Sequence, residues 1–276
     1  MVKKKLKIYA NLGSHKWIPN SEPCYSIENS DIIIMPGGAD WNPKLYGELP
    51  YSRTHFNSKT DTSQLEILLA AIKCNKFIIG ICRGLQGLHI AAGGKLIQHV
   101  TDHVGEHHPI MDVYSTDMIM VNSIHHQMVD VDALKDSNDY TLIAKAWPPR
   151  SKRYVASNHS YLDITIEPEV VYYWKLKGLG FQYHPESLGS GEGLEYSIKI
   201  LNECYAFQTE FNTDAIEVID RIEKLLLISK AEDKQDVQTV FKFPTTTPQL
   251  PSLTTTTPTP TRHVTKTNWI SNIKKF

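Results

Sequence analysis

The chain has 276 residues, of which 41% are hydrophobic and 21% charged, a balance suited to burying a core of ordinary globular size. A formal net charge of −1 excludes a global field drawing it to nucleic acid or to an anionic membrane, so neither is expected as a partner. No window approaches about 18 consecutive apolar residues, and the stretch after the basic "MVKKKLKIYA" is too short and polar for a signal peptide. Four cysteines (Cys24, Cys74, Cys82, Cys204) without a CxxC pair point to a reducing, cytoplasmic setting.

In chain order, "LKIYANLG" and "DIIIMPGG" are short β-branched runs ended by glycine, the pattern of strands buried on both faces of a parallel sheet. "DTSQLEILLAAIK" reads as a helix capped by Asp61 with Gln64 at the capping-box position and an apolar stripe of Leu65, Leu68, Leu69 and Ile72. "KFIIGI" is a third strand, "RGLQGLHIAAGG" a helix stopped by Gly93-Gly94, and "KLIQHV" another extended run. Later, "EVVYYW" and "GLGFQYH" are strand-like around a Lys177-Gly178 turn. "GLEYSIKILNECYAF" and "TDAIEVIDRIEKLLLISK" read as two closing helices. Strands alternating with helices predict an α/β sheet with right-handed crossovers in one domain, residues 1–230. Residues 231–276, rich in Thr and Pro, are read from composition as a disordered tail. Its last segment places Trp269, Ile270, Ile273 and Phe276 at near-helical spacing; a solvated chain end is preferred there to a docking motif.

Cys82 stands in Gly80-Ile81-Cys82-Arg83-Gly84, where the third strand meets a helix. This is the thiol version of the G-x-S-x-G nucleophile elbow. A sharp strand-to-helix turn strains the nucleophile's backbone and leaves no room for side chains on either flank. It also sets the sulfur at a helix N-terminus, where a thiol that ordinarily titrates near 8.5 is more readily ionised. A buried structural cysteine is the competing reading. A thiol needs a base and the base an orienter, and His184 and Glu186 in "GLGFQYHPES" are the best pair. The glycine pair Gly37-Gly38 in "MPGGADWNPKLYGE" allows a backbone amide, with that of Arg83, to form an oxyanion hole. A phosphate loop is set aside, since neither glycine-rich phosphate fingerprint occurs.

"MPGGADWNPKLYGELP", "GICRGLQGLHIAAGGKLIQHV", "VNSIHHQMV" and "GLGFQYHPE", in this order, resemble class I glutamine amidotransferase-like proteins, nearest the γ-glutamyl-γ-aminobutyrate hydrolase family. The resemblance covers about residues 6–205. It implies a three-layer, open, mostly parallel flavodoxin-like sheet with helices on both faces. It also implies a Cys82-His184-Glu186 triad that attacks a γ-glutamyl amide through a thioester, with the backbone around Gly38 and Arg83 holding the oxyanion. Gln86, His125 and His126 would line the cleft and position a small-molecule γ-glutamyl substrate. The span between Gly13 and Asp31 is shorter than in relatives, which usually fit a further helix and strand there. His89 replaces a common Asn, which is expected to matter little.

Of the remaining candidates, His99, His103, His107 and His108 suggest a metal by spacing, but Gly105 and Pro109 argue for a loop and the thiol chemistry needs no cofactor, so none is expected. Asp40 and Glu48 either tie down the glycine loop or meet a substrate amine; Arg83 either pairs with a substrate carboxylate or is solvated. Three functions compete: a stand-alone γ-glutamyl hydrolase, an ammonia-donating glutaminase subunit for a separate synthase or ligase, and a non-catalytic binding member of the fold.

Overall fold

The computed structural model describes residues 4–10, 14–105, 107–134, 139–157, 164–189, 191–208 and 215–236. The strands predicted at the start form as β1 (Leu6–Tyr9), β3 (Ile32–Met35) and β4 (Phe77–Ile81), with a further short strand, β2 (Ser21–Cys24), between the first two. So the strand expected to be missing in this span is present; among the described residues only the helix is absent. β2 carries Pro23 and lies at the sheet edge, where a missing N–H is tolerated.

After β4 the elements are β5 (Lys95–Ile97), β6 (His99–Val100), β7 (His108–Asp112), β8 (Met118–Val121), β9 (Met128–Asp130), β10 (Tyr140–Ala146), β11 (Tyr154–Val155), β12 (Pro168–Tyr173) and β13 (Gly178–Phe181). Nine strands form one sheet in the order β2-β1-β3-β4-β13-β12-β10-β7-β8. From β2 to β13 neighbours run parallel, and from β13 to β8 they run antiparallel. Around the sheet lie α1 (Ser58–Lys73), α2 (Arg83–Ala91), α3 (Glu192–Gln208) and α4 (Ile216–Asp236).

Alternation along the central strands explains the three layers. Ile33, Met35 and Ile78 face a core shared with Leu65 and Leu68 of α1, Leu85 and Leu88 of α2, and Ile222 and Leu225 of α4. Ile32, Ile34, Phe77 and Ile79 face the opposite core with Tyr196, Ile200 and Cys204 of α3. Both faces being covered, these strands read as unbroken apolar runs. α4 continues to Asp236, past the change in composition near residue 231; residues 237–276, including Trp269 and Phe276, lie outside the described residues. Among the described residues no helix is long and apolar enough to cross a membrane.

Helix α1 starts earlier than its sequence suggested. Asn57 caps it, its side chain accepting the Thr60 N–H at 3.1 Å, and Asp61 and Gln64 are buried inside the helix. The i, i+3 spacing of a capping box is also the spacing of two side chains on one helix face, and here that face turns inward.

Candidate functional site

β4 ends at Ile81 and α2 begins at Arg83, which leaves Cys82 alone to make the turn, at φ 51° and ψ −105°. A non-glycine residue held there costs on the order of 1–3 kcal/mol, and only close packing keeps it in place. The packing is visible at the flanking glycines: a Cβ on Gly84 would lie 2.1 Å from the Met35 carbonyl oxygen, and one on Gly80 would lie 2.6 Å from the Gly84 backbone. The elbow therefore wedges α2 directly against β3 and β4. Cys82 is 7% exposed, at the carboxyl ends of the parallel strands where ligand crevices form in such sheets.

β13 runs parallel to β4, Phe181 lying opposite Ile81, so the chain leaving β13 arrives beside the elbow. His184 is there, its Nδ1–H donating to Glu186 Oε1 at 2.8 Å. A Cβ built on Gly37 would be 2.8 Å from His184 Cε1, 3.6 Å from its Nε2 and 3.7 Å from Cys82 Cβ. The glycine loop, the imidazole and the cysteine thus converge on one point. Burial opposes charge on the imidazole, but the polar and charge interactions with Cys82 and Glu186 outweigh it and push His184 up to about 10. Among the described residues His184 Nε2 makes no hydrogen bond of normal geometry. Contacts of this kind commonly tighten only with substrate in place.

The Arg83 side chain is neither solvated nor free for a substrate. It is 1% exposed, donates through Nη2 to Asp61 Oδ1 and through Nη1 to Gln64 Oε1, and lies 3.9 Å over the Trp41 ring. Trp41 Nε1 in turn donates to the Arg83 carbonyl at 2.8 Å. Burial pushes the Asp61 carboxyl up to about 6 against the pull of Arg83. What Arg83 retains for a ligand is its backbone N–H, which, in the first turn of α2, has no intrahelical acceptor. Gly38 faces the same side chain, its built Cβ 3.2 Å from Arg83 Cδ.

The expected cleft-lining residues divide. Gln86 and His125 are 3% and 4% exposed, and both donate to the Gln127 carbonyl, at 3.1 and 3.0 Å, which places them in the wall behind the cleft. Burial, then the neighbouring His103, holds His125 well below the usual imidazole range. His126, partly exposed, reaches Asp40 Oδ1 at 3.0 Å. Asp40 also accepts the His55 N–H at 2.8 Å, and Glu48 pairs with Lys95, so both carboxylates are engaged in tying down this loop. His89 matters more than its sequence reading allowed. It is fully buried, its Nε2–H donates to the Asp130 carbonyl at 3.0 Å and its Nδ1 accepts from the Tyr173 hydroxyl at 2.9 Å. Burial lowers it to about 4, so it is neutral.

One positioning residue was missed. Asn122 accepts the His184 N–H at 2.8 Å and donates to the His184 carbonyl at 3.0 Å, clamping the backbone that carries the imidazole. Its place in "VNSIHHQ" was the available signal. Beyond the edge of the glycine loop a cavity of about 500 Å³ opens between the ends of β1 to β3 and α1, lined by Tyr9, Tyr25, Pro36, Lys59 and Gln64 among others.

Fold and site together define an α/β protein of the glutamine amidotransferase-like class, with an elbow cysteine facing a His–Glu pair. The chain belongs to the Peptidase C26 family, whose model matches residues 17–186 and so contains all three of these residues. It is 34% identical over 119 residues to the glutamine amidotransferase-like protein YvdE of Lactococcus lactis, covering 36% of this chain and 50% of that one; the match thus spans about half the relative's length. It is also similar to the carbamoyl phosphate synthase small chain of Buchnera aphidicola, 32% identical over 83 residues, 30% of this chain and 21% of that one. A crystal structure described as a GMP synthase subunit from Thermoplasma acidophilum covers 75% of this chain and 97% of its own at 17% identity, with a TM-score of 0.49.

Proposed function

We propose that the chain hydrolyses the γ-amide of glutamine or of a γ-glutamyl amine through a cysteine thioester. The observation that carries this reading is the convergence of Cys82, His184 and Gly37 on one point at the mouth of the elbow. Cys82 sulfur attacks the γ-carbonyl carbon while His184 Nε2 holds the thiol proton, and Glu186 keeps the ring oriented through Nδ1. Negative charge moves onto the carbonyl oxygen, which accepts from the backbone N–H groups of Gly37 or Gly38 and of Arg83. One such donor is worth about 10²–10³ in rate. Collapse of this intermediate expels the amine, which leaves with the proton from His184. Water then attacks the thioester, giving a proton to His184; the carbon–sulfur bond breaks, glutamate departs and the proton returns to sulfur. Gln86 and His125 support the cleft wall from behind, and His126 bounds the cleft beside Asp40 of the glycine loop. The reading includes a reducing, cytoplasmic setting, in keeping with four free cysteines, one of them the nucleophile.

A second reading, an ammonia-donating subunit of a synthase or ligase, is favoured by the similarity to a carbamoyl phosphate synthase small chain. Glutamate release from glutamine and from γ-glutamyl-γ-aminobutyrate, with Cys82→Ala as control, tests both. Turnover by the chain alone supports the hydrolase. Silence of the wild type together with rapid alkylation of Cys82 supports the partner-dependent subunit. An inert Cys82 without turnover leaves a non-catalytic binding protein.

A further inference from the structure

Behind the cleft wall, and sharing only His125 with it, lies a buried group of side chains that takes no part in the proposed proton transfers. Glu169 Oε1, on β12, is its hub. His108 Nε2 stands 2.9 Å away, His103 Nδ1 3.9 Å and His125 Nε2 3.9 Å. The ligand-capable atoms of His103, His108 and Glu169 all lie within 4.8 Å of one another. The side chains of all four residues are 0–2% exposed. Neighbouring ligand atoms of a tetrahedral zinc ion bound at 2.0–2.1 Å are separated by about 3.3 Å, a value that falls between the separations found around Glu169.

The polar contacts around the group favour one set of inward-facing atoms. His125 Nδ1 meets the Gln127 carbonyl, which can only accept, so this nitrogen carries the proton and Nε2 presents a lone pair. His103 Nε2 lies 3.3 Å from Glu167 Oε2, an ion-pair distance without hydrogen-bond geometry, and a carboxylate on that side favours the proton on Nε2 and the lone pair on Nδ1, toward the hub. The Ser123 hydroxyl gives its one proton to the His103 carbonyl at 2.6 Å, so it donates none to Nδ1, from which it stands at the long distance of 3.4 Å. Two imidazole lone pairs therefore face a carboxylate oxygen across a space closed to solvent, with one N–H, that of His108, between them. Among the described residues His125 Nε2 and Glu169 Oε2 have no hydrogen-bond partner. With the His108 N–H as the one donor among them, the facing lone pairs of His103 and His125 repel each other and the carboxylate, and a cation at their focus reverses the sign of the interaction.

We infer that His103, His108, His125 and Glu169 form a structural site for a zinc-class divalent ion. Three imidazoles and one carboxylate make a four-coordinate set of the type such ions take when the site is closed to solvent. The outer contacts fit as well: Glu167 beneath His103 and the Gln127 carbonyl beneath His125 are the carboxylate and carbonyl partners that orient metal-bound histidines. The ion would tie β7, β12 and the loop before β7 to the segment 122–127, whose Asn122 clamps His184. The site rests on no assumption about the reaction at Cys82.

The test uses the full chain and the metal alone. Protein prepared with zinc and then dialysed is measured for bound metal, stripped with a chelator and titrated with Co²⁺. One ion per chain is expected, with the strong visible bands of tetrahedral Co²⁺. His108→Gln and Glu169→Gln abolish those bands, whereas His107→Ala, at an exposed position of the same loop, keeps them. Glu167→Gln keeps the bands and weakens affinity about 10–100-fold. A folded wild-type chain that binds no ion overturns the site, as does binding with an octahedral spectrum or binding indifferent to His108→Gln and Glu169→Gln. Should those variants fail to fold, the wild-type stoichiometry and spectrum decide alone.

Discussion

Replacing Asp61 with Ala removes the anion that holds the elbow from beneath. Asp61 is fully buried, receives Arg83 Nη2 and accepts the Asn42 N–H at 3.1 Å. Its loss strands a guanidinium that is 1% exposed with only Gln64 and the Trp41 face for company. Breaking a buried pair from one side costs about 3–5 kcal/mol. An unsatisfied Asn42 N–H contributes a further 1–3 kcal/mol or so, less than additively because the two share a partner. The expected loss is therefore about 4–6 kcal/mol, a large share of the roughly 5–15 kcal/mol that holds a typical domain folded. With a urea slope of about 2–3 kcal/mol/M the unfolding midpoint, followed by tryptophan fluorescence, falls by about 2 M. The double variant Asp61→Leu with Arg83→Met leaves no buried charge and recovers most of the loss, while keeping the residue-83 backbone N–H at the elbow. A single-variant loss under about 1 kcal/mol, or a double variant less stable than Asp61→Ala, would refute the account of a buried pair holding α2 in place.

Asn122→Ala removes both clamps on the His184 backbone and should lower kcat about 10²-fold with little change in KM, read in steady-state glutamate release. Gly37→Ala pushes a methyl into His184 Cε1 and should cost at least as much activity, while thermal unfolding moves little. Stability should respond to pH through two histidines in opposite directions. His184 is raised to about 10, so its contribution is complete below pH 6.5 and is lost as pH rises toward 10; Cys82→Ala should flatten that alkaline limb. His89 is lowered to about 4, so its contribution is present above pH 6.5 and is lost as pH falls toward 4, by about 3 kcal/mol in all. Chemical unfolding at stepped pH measures both, and an acid limb of His89→Gln as steep as that of the wild type would contradict the second.

How much of this was legible depended on whether the cause was local. β3 and β4 are buried on both faces, so "DIIIM" and "FIIGI" announced themselves as apolar runs. The elbow was legible because one tight turn demands small residues at fixed offsets from Cys82, and Gly80 and Gly84 supply them. Asp61 and Gln64 misled because their spacing serves a cap and an inward-facing pair equally well, and only tertiary contact with Arg83, 22 residues from Asp61, separates the two. β2 was missed because an edge strand carrying Pro23 has little apolar signal. The group around Glu169 was legible only in part, since His103 and His108 stood out in the sequence as metal candidates but His125 and Glu169 did not. It draws on β7, β12 and two loops: of the four histidines that suggested a metal only His103 and His108 meet there, and their partners His125 and Glu169 are distant in sequence.

The most direct test of the proposed chemistry is to look for the acyl-enzyme itself. The purified chain is mixed with glutamine or γ-glutamyl-γ-aminobutyrate, quenched in acid within milliseconds to seconds, and examined by intact-mass and peptide-mass spectrometry, with Cys82→Ala alongside. The account predicts one γ-glutamyl group added per chain, located on Cys82, accumulating further in Glu186→Gln if water attack slows more than acylation, and absent from Cys82→Ala. An adduct on another residue, or glutamate release that persists in Cys82→Ala, would contradict it.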